Sequence, residues 1–193
     1  MLDSIGVWYK LVNNRDDFAS EFHSGKYNLY LIAGENCELH PLIQDQIIEM
    51  VNLGDGLVVT TRGTQHMHRF EEVFSVKFKG HIPANKIKYV AFLESPISHP
   101  DTLSISAKVV KFEVINSTLA AKFNAGIPAA IVNEYGDGKA VFFGFDMIDI
   151  SSKNVWTGLV PVQKGVGQGV SLASEIVGEA SQPRYSILPR AWS

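Results

Sequence analysis

Two short segments gather the side chains with the most chemical potential. In GENCELH the single cysteine, Cys37, sits between Glu35 and Glu38 with His40 three residues on. A thiol beside an imidazole can act as a nucleophile when the imidazole takes its proton or stabilises the thiolate. The two carboxylates oppose this, because a nearby negative charge raises a thiol pKa, so the bland reading of Cys37 is an inert loop thiol. In TTRGTQHMHRF, Arg62, His66, His68 and Arg69 follow one another closely. Guanidinium forks and backbone N–H groups suit a carboxylate, phosphate or other polar ligand. As a metal site the segment offers only His-x-His, two imidazoles without a third ligand at a recognisable spacing unless Asp146 or His99 converges on them in space. The alternative is a solvated loop. Asp146 and Asp149 in FGFDMIDI could be paired carboxylates for acid–base work, or simply cap a following turn. The glycines of GVGQGV do not form a phosphate loop: no Lys-Ser or Lys-Thr follows, and no clear strand and helix flank them.

Such residues need rigid elements to hold them. Ile5 to Val12 is apolar enough for a first strand. RDDFASEFHSG reads as a short helix, with Phe18 and Phe22 on one face and Gly25 to end it. Tyr27 to Gly34 (YNLYLIAG) is a nearly continuous apolar run, as in a strand covered on both faces. Pro41 opens a second helix whose stripe is Leu42, Ile47, Ile48, Met50 and Val51, stopped by Gly54. GLVVTT then gives another buried strand. This alternation implies right-handed βαβ crossovers and a parallel sheet, and strand carboxyl ends in such sheets are common ligand positions. Both Cys37 and Arg62 fall just past such an end.

The middle of the chain is less regular. RFEEVF is a turn or two of helix, FSVKFKG and KYVAFLE are strand candidates, Ser106 to Val114 alternates as a strand does, and STLAAKFN is a short helix or a bend. IPAAIVNEY and KAVFFGFDM joined by Gly-Asp-Gly predict a β-hairpin. From Ser151 the composition turns to Gly, Ser, Val and Pro, with a possible helix in SLASEIVGEA. The domain division expected is residues 1–150 as one α/β domain and 151–193 as a Gly-rich extension.

Composition bounds the rest. A chain of 193 residues with 46% hydrophobic and 19% charged residues is long and apolar enough for one substantial core. The formal charge of −3 gives no reason to expect nucleic acid. One cysteine forms no intramolecular disulfide and does not identify a compartment. There is no signal-peptide pattern and no run of roughly 18 to 20 apolar residues, so no membrane span is expected; a cytoplasmic protein and a piece of a secreted or cell-surface chain would look alike.

Three segments, DDFASEFHSGKYNLYLIAG, PLIQDQIIEMVNLGDGLVVT and IPAAIVNEYGDGKAVFFGFD, carry a resemblance. Together, over roughly Val7 to Asp149, the chain resembles the class I glutamine amidotransferase-like superfamily, in the divergent branch that includes beta-galactosidase trimerisation domains and other non-catalytic modules. The resemblance implies an open, mostly parallel, flavodoxin-like sheet flanked by helices, with a C-terminal hairpin and an irregular tail. It also implies an opening strand and helix before IGVWYKLV; the expectation is that the chain is a truncated or partial domain, or that its own tail supplies the absent packing surface. Catalytic members carry a cysteine in a tight Gly-x-Cys-x-Gly turn. Here GLVVTT runs into Thr61, Arg62 and Gly63, and a threonine hydroxyl without a base is a poor nucleophile.

The expected function is therefore a non-catalytic structural or interaction module, for assembly or as one domain of a larger protein, with self-association or a protein partner and no cofactor. The alternatives are a small-molecule or carbohydrate-binding domain, taking an anion or a sugar at Glu35, Cys37, His40, Arg62, His66 and His68, and a divergent hydrolase or amidotransferase-like enzyme using Cys37.

Overall fold

The computed structural model describes residues 10, 12, 15–33, 39–63, 67–93, 102–105 and 107–146. The expected strand at Ile5 to Val12, the loop after KYVAFLE and the whole 151–193 extension, including GVGQGV and SLASEIVGEA, lie outside them or nearly so.

The first half follows the pattern of the sequence. Helix α1 (Arg15–His23) stacks Phe18 on Phe22 at 6.1 Å, and Gly25 follows it with φ +65. Strand β1 (Leu29–Ala33) leads to α2 (Pro41–Asn52), which buries Ile47 and Val51, and then to β2 (Gly56–Thr60), buried along its whole length. β1 and β2 pair in parallel, Leu29 with Gly56 through Ala33 with Thr60, so this unit is the βαβ crossover expected.

Beyond it the parallel extrapolation fails. A 3-10 turn (His68–Phe70) and α3 (Glu71–Phe74) are followed by β3 (Val76–Ile82), β4 (Tyr89–Phe92), β5 (Thr102–Ser104), β6 (Val109–Val114), β7 (Thr118–Phe123), β8 (Pro128–Tyr135) and β9 (Gly138–Phe143). Seven strands form one sheet in the order β1-β2-β9-β8-β7-β4-β5. Only β1–β2 and β2–β9 are parallel pairs; β9–β8, β8–β7, β7–β4 and β4–β5 are antiparallel. β3 and β6 make a separate antiparallel ribbon. The chain is therefore mostly β, a curled mixed sheet with three short helices among the described residues, and not a helix-flanked, mostly parallel flavodoxin-like or amidotransferase-like sheet.

Two physical reasons account for the difference. The Gly136–Asp137 turn folds β8 back on β9 as expected, but β9 then pairs with β2, so the hairpin lies in the middle of the sheet. The second reason is β7. STLAAKF was expected to be a helix or bend, yet its backbone groups pair with both β4 and β8, which long-range neighbours decide and local propensity does not. Register shifts at Leu119, Ala121 and Lys122 break the β7–β8 ladder, as bulges do where a strand bends.

Both faces of the sheet are buried, by different means. On one, Tyr30, Ile32, Leu57, Val59, Ala140 and Phe142 meet α2, α3 and the ribbon. Phe142 lies 5.2 Å from Phe74, 5.3 Å from Phe78 and 5.2 Å from Phe112, ring centre to ring centre. On the other, Leu29, Val58, Val141, Phe143, Val90, Phe92 and Leu103 close over one another with Ile82, Ile87 and Val109, and none of the buried residues of this cluster belongs to α1, α2 or α3. Curling lets the sheet bury this face with no helix of the described residues laid over it. β1, expected to be covered on both faces, is the edge strand of the described sheet, with Leu31 37% exposed and Ala33 also exposed. No helix among the described residues is long and apolar enough to cross a membrane.

Candidate functional site

The carboxyl ends of β1, β2 and β9 point to the same end of the sheet. Here the expected nucleophile turn is closed by its own hydrogen bonds. Thr60 Oγ1 donates to the Phe145 carbonyl at 2.8 Å and ties β2 to the chain leaving β9. Thr61 Oγ1 donates to the Gly63 carbonyl and accepts from the Gly63 N–H, both at 3.0 Å. Thr61 is 1% exposed, so its hydroxyl is a turn-forming group shielded from any reactant. Arg62 between them is half-buried.

His40 is the N-cap of α2: its Nδ1 accepts from the Leu42 N–H at 3.2 Å, satisfying one of the free donors of the first turn. This requires a neutral ring with the proton on Nε2. Gln44 Nε2 in turn donates to the Leu39 carbonyl at 2.8 Å, anchoring the approach to the helix. His68 lies 3.3 Å from Glu71 Oε1 and rests edge-on against Phe78, ring centres 5.9 Å apart. The same Glu71 oxygen accepts from the Phe78 N–H at 2.7 Å. Arg69 forms an ion pair with Asp45 of α2. The two helix-facing candidates, His40 and Arg69, thus fasten segments to α2, while Glu71 fastens α3 to β3 and His68 holds the 3-10 turn against both. Among the described residues no three His, Cys, Asp or Glu side chains gather as metal ligands do. Asp146 is buried at 5% exposure. Glu35, Cys37, His66, His99 and Asp149 lie outside the described residues.

Several polar groups that organise the fold were not singled out from the sequence. Tyr30 OH donates to Asp55 Oδ2 at 2.7 Å in the interior, and Asn133 Nδ2 donates to the Val73 carbonyl at 2.8 Å at the end of α3. A buried aspartate next to a glycine reads as an ordinary turn until the tyrosine 25 positions away is placed on it. Burial raises the pKa of Tyr135, with Glu72 adding to the effect, and Tyr27 is raised likewise by burial and then by Glu21. The hydrogen bond and charge of Lys79 hold Glu113 low, with Lys77 adding to the effect.

The small net charge conceals a segregation. Residues 76–92 and 107–127 carry Lys77, Lys79, Lys86, Lys88, Lys108, Lys111 and Lys122 against Glu113 alone, a formal +6 that leaves −9 for the rest of the chain. The fold sharpens this along the strands. Lys86 and Lys88 lie where β4 starts, held by Asn124, whose side chain bonds the Lys86 carbonyl at 2.9 Å and the Lys88 N–H at 2.7 Å. Lys122 pairs in register with Pro128 at the start of β8. Lys108 precedes the Val110 N–H that donates to the Gly144 carbonyl at 2.6 Å, just past β9. All four belong to the end of the sheet where β9 finishes.

At the opposite end the hairpin turn rests on α2, with the Asp137 N–H donating to the Asn52 carbonyl at 3.0 Å. Exposed Glu134 and Asp137 on the hairpin, Glu49 on α2 and Glu72 on α3, the last reached by Tyr135 OH at 3.3 Å, make this end acidic, against Lys26 and Lys139. The poles are separated by the length of β9, about 20 Å at ~3.4 Å per residue.

No family model matches the chain, and no curated protein matches it. Among solved structures its fold is similar to that of a cytoplasmic protein from Salmonella typhimurium LT2, with a TM-score of 0.58 and 16% identity over 81% of this chain and 73% of that one. It is similar to part of an exo-beta-1,4-mannosidase from Opitutaceae bacterium strain TAV5, with a TM-score of 0.56 and 12% identity over 80% of this chain and 25% of that one. A beta-galactosidase from Bacillus circulans sp. alkalophilus gives a TM-score of 0.50 and 9% identity over 82% of this chain and 28% of that one. The chain thus spans about a quarter of each glycosidase. At these identities the likeness is one of fold alone. The expected similarity to a beta-galactosidase domain holds at that level; none of the three structures bears an amidotransferase name.

Proposed function

We propose that this chain is an assembly or interaction module, used in self-association or as one domain of a larger protein, with residues 1–150 as the folding unit and 151–193 as an appended extension. The observation that carries the reading is where the polar candidates spend their hydrogen bonds. Thr61 closes its own turn, His40 caps α2, Arg69 pairs with Asp45 and His68 meets Glu71. Groups engaged in this way hold the scaffold together and leave its surface as the working part. A fold that forms about a quarter of two glycosidases is in keeping with a domain role.

Light scattering on the intact chain tests the assembly reading. The expected solution mass is a multiple of the 21.3 kDa protomer; a monomer at the highest soluble concentration, with no partner domain required for folding, refutes it. Ending the chain after Asp149 tests the division, which predicts an unchanged cooperative unfolding transition.

A further inference from the structure

We infer that the protein associates with copies of itself head to tail, the lysine-rich pole of one protomer seating on the acidic hairpin pole of the next. The inference rests on the assembly reading above and specifies its surface and occupant. Lys86, Lys88 and Lys108 are exposed and Lys122 half-buried at the end where β9 finishes, while Glu49, Glu72, Glu134 and Asp137 are exposed at the other. The poles lie about 20 Å apart, beyond the Debye length of about 8 Å at physiological ionic strength, so each acts as a separate electrostatic surface.

This separation excludes a two-fold contact made through either pole alone. A contact of one pole with its own copy would set four cations against four at the lysine pole, and at the hairpin pole four carboxylates, offset in part by Lys26 and Lys139, against the same set. Complementary potentials meet when unlike poles face each other, end to end or in an antiparallel side-by-side pair. The end-to-end, heterologous contact uses both ends of every protomer and closes into a ring if the rotation permits or continues as a filament if it does not, whereas the antiparallel pair stops at a dimer. The scaffold fixes the two patches relative to each other, because the strands joining them form the buried centre of the sheet.

Charge reversal on the full chain tests this. One variant carries K86E and K88E; the other carries E49K and E134K; circular dichroism and the unfolding midpoint establish that both remain folded. At low salt, about 0.05 M, sedimentation velocity is expected to show each variant associating at least roughly tenfold more weakly than the parent, and the parent itself dissociating toward about 0.5 M salt. Mixing the variants restores assembly at low salt, because the reversed lysine pole of one repels its own acidic pole but not the lysine-bearing hairpin pole of the other. Should both variants assemble as the parent does, indifferent to salt, or should the parent stop at a dimer at low salt, the head-to-tail inference is overturned and the assembly reading stands. A parent that is monomeric even at low salt overturns both.

Discussion

Replacing Gly138 by alanine probes the joint on which the architecture turns. A Cβ at this position would lie 2.1 Å from the Val51 carbonyl oxygen and 2.3 Å from that of Asp55, against a floor of 3.0 Å that real Cβ contacts respect. Both obstacles are backbone, so neither can rotate away, and the hairpin must retreat by about 0.9 Å from the end of α2. That retreat strains the 3.0 Å bond from the Asp137 N–H to Asn52. Overpacking of this kind costs about 1–3 kcal/mol and a weakened hydrogen bond about 1 more, while the stiffer unfolded chain returns ~0.4–1. The expected loss is about 1–3.5 kcal/mol, or ~2–14 °C in Tm for a chain of this size. Urea unfolding followed by circular dichroism measures it, with Gly25→Ala as the reference. Gly25 has φ +65 but nothing within 4 Å of its added Cβ, so that variant meets backbone strain alone, about 1 kcal/mol before the same unfolded-state return. Equal stabilities for the two variants would show that the hairpin does not bear on α2 as described.

Phe142→Ala removes the ring on which Phe74, Phe78 and Phe112 converge and is expected to cost about 3–5 kcal/mol by chemical denaturation; a loss under about 1 would contradict the packing. Tyr30→Phe deletes a donor to the buried Asp55 and should cost about 1–3 kcal/mol, whereas Asp45→Ala, which breaks only an exposed ion pair, should cost under about 1; a reversed order would refute the contrast. Because burial and Glu72 raise the Tyr135 pKa, its protonated form is favoured in the folded state. The associated stability is present below the ordinary tyrosine value of about 10 and is lost as pH rises through the folded value. Tyr135→Phe should therefore flatten the alkaline loss of stability, and an unchanged alkaline limb would remove this assignment.

What the sequence determined by itself was local. Phe18 and Phe22 four residues apart, Pro41 before an apolar stripe, the run GLVVT and the Gly-Asp-Gly between two β-rich segments each act through neighbours in the chain, so α1, α2, β2 and the hairpin could be read directly. The excess of lysine over acid in 76–92 lies in the sequence as well, but the total of −3 hides it. The site was legible only as a neighbourhood. His40 stood before a helix, but that its own ring caps the helix, and that Thr61 closes a turn on Gly63, depends on geometry that residue type does not specify.

The tertiary structure decided strand direction and neighbour. β9 lies between β2 and β8, and β7 between β8 and β4, through hydrogen bonds joining segments up to about 80 residues apart, whose formation depends on which apolar faces can be buried together. A βαβ start does not oblige later strands to continue in parallel, because each new strand pairs with whichever edge the buried faces leave open. The same pairing carried Lys86, Lys88, Lys108 and Lys122, scattered over 37 positions of the chain, to one end of the sheet and the carboxylates of the hairpin to the other.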